Sequence, residues 1–152
     1  MSDRLIESKI KEKLTCEIQE NTLDFISFMY GNGFTFESFD AGSEIGWNPI
    51  YKGKGIGCAM ISDEFMFWLG LDWCFDDNGT IENELKEFTW SHVVNCPQKP
   101  CEPPYCEGDN KSKNQWQIFG KNYESTCHSP LAFFGPDENT LNNMKKLILM
   151  TK

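Results

Sequence analysis

The sequence predicts the α+β class: a single twisted antiparallel sheet of about five to six strands, with N-terminal helices and a C-terminal helix packed on one side. Three observations carry this. Apolar residues recur at helical spacing through the first thirty-odd positions, the period drops to two from Phe34, and helical spacing returns after Gly135. Residues 1–33 are the expected helical segment, residues 34–152 the sheet with its closing helix, and 1–152 a single domain.

Ser2 can cap a first helix over about residues 3–15, where Leu5, Ile6, Ile10 and Leu14 share a stripe opposite Glu and Lys. Asn21-Thr22 is the expected cap of a second helix carrying Leu23, Phe25, Ile26, Met29 and Tyr30, with Gly31-Asn32-Gly33 as a left-handed stop. Phe34-Thr35-Phe36 starts an extended segment. Trp47–Tyr51, the glycine turn at Lys52–Gly55, and Ile56–Ile61 read as a hairpin, and Pro49 places its first strand at an edge.

Phe65, Phe67, Leu69, Leu71 and Trp73 alternate with Met66, Trp68, Gly70 and Asp72, so one face of that strand must be core. We expect the C-terminal helix to cover it. Asp76-Asp77-Asn78-Gly79 signals a turn, and Thr80 is the expected cap of a short helix with Ile81, Leu85 and Phe88 on one face. Thr89–Asn95 reads as a strand aligning Trp90, His92 and Val94. Residues 96–114 contain Pro97, Pro100, Pro103, Pro104 and Gly108 and cannot be regular structure. Trp116–Lys121, Tyr123–Cys127 and Leu131–Phe134 read as three short strands. Gly135-Pro136-Asp137 then opens a helix with Leu141, Met144, Leu147 and Ile148 facing inward.

Composition narrows the function classes. Apolar residues make up 39% and aromatics 14%, with 12 Phe and 5 Trp, which predicts a core of large rings. A net charge of −9 argues against nucleic acid as partner, because phosphate-backbone affinity comes from clustered Lys and Arg. The carboxylates form no block of five or more, which speaks against a DNA mimic. No basic start precedes an apolar run, and no stretch nears the roughly 18 apolar residues of a membrane span. The expectation is a cytoplasmic protein with no membrane partner and with mostly reduced thiols, since 7 cysteines is an odd number.

Two constellations carry chemistry. Cys96, Cys101 and Cys106 are separated by four intervening residues each in the proline-rich loop, and Cys127-His128 follows on a strand end. Thiolates are soft ligands for Zn²⁺, and Cys96, Cys101, Cys106 and Cys127, or three of them with an imidazole, would order a loop too polar to fold by burial. A loop disulfide, small buried thiols and a reactive thiol are the other readings of the same residues. The second constellation is aromatic. Trp47, Trp68 and Trp90, with Asp72 and His92, would wall a pocket for a planar or cationic small molecule, whereas the ordinary reading of such rings is core.

The histidines, His92 and His128, have no nucleophile-elbow serine or protease cysteine beside them, so a nucleophilic hydrolase is not indicated. The glycines at 53, 55 and 57 lack the Gly-Lys-Ser/Thr ending of a phosphate loop.

At Trp116-Gln117-Ile118-Phe119-Gly120-Lys121-Asn122-Tyr123, followed by Cys127 and a C-terminal helix, the chain resembles small bacterial proteins with a cysteine-rich loop before an Ile-Phe-Gly-Lys-x-aromatic motif. The stretch from Trp47 through Leu71, where Tyr51-Lys52-Gly53-Lys54 joins two strands, resembles the YdhG-like α+β proteins. These resemblances cover residues 47–150 and imply a fold without implying a catalytic residue. The expected function is a non-enzymatic small-ligand or metal-binding module. The alternatives are a small-molecule enzyme using Asp72, His92 or a loop thiol, and an acidic factor or inhibitor that binds a protein partner.

Overall fold

The computed structural model describes residues 2–41, 44–70, 81–95 and 114–151. Their order is α1 (Ser2–Lys13), α2 (Cys16–Gly31), β1 (Phe34–Ala41), β2 (Glu44–Tyr51), β3 (Lys54–Gly55), β4 (Gly57–Ile61), β5 (Phe65–Leu69), α3 (Asn83–Ser91), β6 (Val93–Asn95), β7 (Asn114–Ile118), β8 (Lys121–Phe134) and α4 (Glu138–Leu149). The strands form a single antiparallel sheet in the order β1-β2-β4-β5-β8-β6, with β3 paired to β2 and β7 to β8. With helices at both ends of the chain, this is the α+β architecture. By their internal contacts the residues group into two units, Met1–Phe67 with Phe133–Lys152, and Trp68–Ala132.

The first unit holds the ring-rich core. Phe34, Phe36, Trp47, Phe65 and Phe67 are all buried, as are Ile6 and Ile10 of α1 and Phe25, Ile26 and Met29 of α2. Phe25 meets Phe65 and Phe67 edge-on at 5.9 and 5.6 Å, and Tyr30 meets Phe36 at 5.6 Å, arrangements that bring a ring's positive edge to its neighbour's negative face. The rings of Phe65 and Phe67 are thus met by α2, and α4 in turn packs on α2. Leu141, Met144, Leu147 and Ile148 are the buried stripe of α4, whose first turn is capped by Asp137 accepting from the Thr140 amide at 2.8 Å.

Four local readings are corrected. The second helix starts at Cys16, with Thr15 in the N-cap position, and not at Asn21-Thr22. Thr22 is buried mid-helix and turns its hydroxyl back onto the Ile18 carbonyl at 2.8 Å, so its polar atom is satisfied without a helix end. At the end of α1 the Gln19 amide donates to Lys11 O at 3.2 Å and to the carbonyl of Leu14, just past the helix, at 2.7 Å.

Pro49 is in an interior strand, since β2 pairs with β1 on one edge and with β3 and β4 on the other. Its carbonyl accepts from Ile56, the residue between β3 and β4, at 3.0 Å. The N and C=O of one strand residue point to the same edge, so the missing N–H falls at the break in the ladder, where no partner strand needs it.

Trp90 and Thr89 are helical. The α3 helix runs to Ser91 and leaves β6 only residues 93–95, because Leu85 and Thr89 share its buried face and Thr89 Oγ1 returns to Leu85 O at 2.7 Å. The two segments Tyr123–Cys127 and Leu131–Phe134 are one strand, β8. Val93 pairs with Leu131 and Asn95 with Thr126, so five steps on β8 oppose two on β6. Pro130 sits in that irregularity of the β6–β8 pairing, between the paired positions Thr126 and Leu131.

Candidate functional site

The strand β8 organises the second unit. It leaves β7 through the two-residue turn Phe119-Gly120, with Ile118 and Lys121 facing each other across it. Both turn residues have positive φ, 48° and 89°, the left-handed geometry that a tight hairpin of this hand demands. Glycine accepts it freely. Phe119 takes it while its ring is buried, so the strain is offset by burial of a large apolar group. The Ile-Phe-Gly-Lys motif is therefore the tip of the β7–β8 hairpin.

At the other end of β7 the register brings the ends of the cysteine loop together. Asn114 of β7 and Asn95 of β6 both pair with Thr126. A strand residue has one neighbour on each edge, so the connection 96–113 starts on one edge of β8 and finishes on the other. Cross-strand Cα atoms are about 4.5–5.5 Å apart and successive ones about 3.8 Å, so the Cα of Cys127, next to Thr126, lies within roughly 7 Å of both loop ends. Cys96, Cys101 and Cys106 themselves fall outside the described residues, as does Asp72.

The remaining candidates have definite places. Trp47 belongs to the first unit, buried at 1% exposure, and its indole Nε1 is the buried side-chain polar atom with no hydrogen-bond partner among the described residues. Trp68, Trp90 and His92 belong to the second unit and are half-buried. Trp90 donates its indole N–H to the Ile118 carbonyl at 2.8 Å, and the Lys121 ammonium sits 4.2 Å from its ring centroid. The His92 ring lies against Phe88, 4.5 Å between centroids, with Nδ1 at 2.8 Å from the Phe88 carbonyl. A carbonyl only accepts, so this contact puts a proton on Nδ1.

Sequence reasoning placed Trp90 on a strand, and so missed its contact with the hairpin tip. The aromatic at 90 and the Gly-Lys pair thirty residues later show no local periodicity that would join them; only the fold does.

Among the described residues no three His, Cys, Asp or Glu side chains group as a metal site, and no helix is long and apolar enough to cross a membrane. No family model matches the chain, and no curated protein or solved structure matches it.

Proposed function

We propose that the chain is a non-enzymatic binding module whose loop 96–113 is closed by Zn²⁺ held by the thiolates of Cys96, Cys101, Cys106 and Cys127. The observation that supports it is the double pairing of Thr126, which holds both loop ends beside Cys127. Closing a long loop costs conformational entropy, and a segment with four prolines and few apolar side chains has little burial to offset it. Metal–thiolate bonds supply that free energy directly. Four sulfurs at about 2.3 Å would fill the tetrahedral shell and leave no open position for catalysis, which makes the site structural.

The small-ligand part of the reading draws on Trp47. A buried indole N–H with no acceptor among the described residues forgoes a hydrogen bond worth roughly 1 kcal/mol, which a ligand with one acceptor atom and an apolar body would restore.

One experiment addresses both. Native mass spectrometry of protein prepared under reducing conditions should show about one equivalent of Zn²⁺, lost to a chelator together with protection of the four thiols from alkylation. A small molecule retained by wild type and lost in Trp47→Phe would support the second site. Metal far below one equivalent defeats the zinc reading. On protein prepared without reductant, a mass lower by two hydrogens and restored by reductant would replace it with a loop disulfide.

A further inference from the structure

We infer that Trp90 is a latch that positions the two loop-bearing strands of the second unit. The helix α3 runs directly into β6 through His92, whose carbonyl accepts from Ala132 of β8 at 3.1 Å. The same helix reaches the far end of β7 through Trp90, which bonds the Ile118 carbonyl at 2.8 Å while Lys121 covers the ring at 4.2 Å. Ile118 and Lys121 bracket the turn containing Phe119 and Gly120, both at positive φ. One helix therefore holds both strands flanking the cysteine loop, β6 by chain continuity and β7 by a side chain. Loss of the indole N–H frees the tip of β7 from α3 but leaves β6 tied, so the β7–β8 ladder loosens from Ile118 toward Thr126, where both loop ends pair. The effect on metal retention rests on the zinc reading above; the latch itself does not.

The test is amide hydrogen exchange on the full chain, wild type against Trp90→Phe and Lys121→Met. Trp90→Phe keeps a ring under Lys121 and removes the N–H. It should speed exchange in β7 and residues 121–126 by about fivefold, the equivalent of one lost hydrogen bond, with β1 and β2 unchanged. Lys121→Met, a change at an exposed side chain, should give about twofold in the same segment and keeps the idea testable if Trp90→Phe does not fold. No change in β7, or an equal acceleration throughout the chain, overturns the latch. On protein that holds Zn²⁺, EDTA should strip the metal from Trp90→Phe faster by the same factor. Equal release rates with faster exchange would refute the coupling of latch to metal. A zinc-free wild type would refute the metal reading, and exchange alone would then decide the latch.

Discussion

Cys58 offers a test of burial in the first unit. It precedes Ala59, the cross-strand partner of Trp47, so its side chain lies on the opposite face of the sheet from that indole. It is half-buried, and burial pushes its thiol from the ordinary 9.0 up to about 11. At pH 8 such a thiol carries roughly a hundredfold less thiolate than an ordinary one, and alkylation should slow in proportion. Exposed Cys16 is the internal standard. Peptide-resolved labelling with iodoacetamide at pH 8 should therefore find Cys58 slower than Cys16 by about two orders of magnitude.

The same shift has a consequence for stability. The folded value lies above the unfolded one, so burial of the neutral thiol stabilises fully below pH 9 and that contribution is lost as pH rises toward 11. The full difference is equivalent to about 2.7 kcal/mol, and partial contact with solvent reduces the expectation to about 1–2 kcal/mol. Urea unfolding of wild type and Cys58→Ala between pH 8 and 11 isolates it, because other groups titrate equally in both. Parallel pH profiles for the two proteins, or equal alkylation of Cys58 and Cys16, would refute the assignment of Cys58 to a desolvated site.

Two further outcomes follow from the core and the last helix. Phe67→Ala, at a ring fully buried against Phe25, should cost about 3–5 kcal/mol in chemical denaturation, and a loss under about 1 kcal/mol would remove that face from the core. The Thr140 amide holds the Asp137 carboxyl below its usual range, so the cap contributes above the unfolded value and is lost as pH falls through the folded one. Protection of the α4 amides, taken relative to their intrinsic exchange at each pH, should fall at acid pH in wild type and lose that acid step in Asp137→Ala.

How much of this was legible follows from the range of each interaction. The alternation Phe65, Phe67, Leu69 against Met66, Trp68 is a property of five adjacent residues, and its burial pattern in the structure is the one the alternation implies. The stripe of α4, its Asp137 cap and the stop of α2 at Gly31-Asn32 are likewise local, because capping and helical periodicity act within one or two turns. The candidate site was legible only as composition: prolines, polar residues and cysteines announced a segment needing an external tie, and the chain alone says nothing of where its ends meet.

Tertiary structure decided the rest. Whether Pro49 stands at an edge depends on which strands flank it, and β4, which begins only at Gly57, makes β2 interior. Thr89 and Trp90 have side chains that suit a strand, yet burial of Leu85 with Thr89 on one helical face outweighs so small a preference. The meeting of Asn95 and Asn114 across Thr126, and of Trp90 with Ile118, joins residues 12 to 31 positions apart. Local pattern selects elements; only the cooperative packing of distant segments selects their partners, because no local free-energy term distinguishes one hydrogen-bonding edge from another.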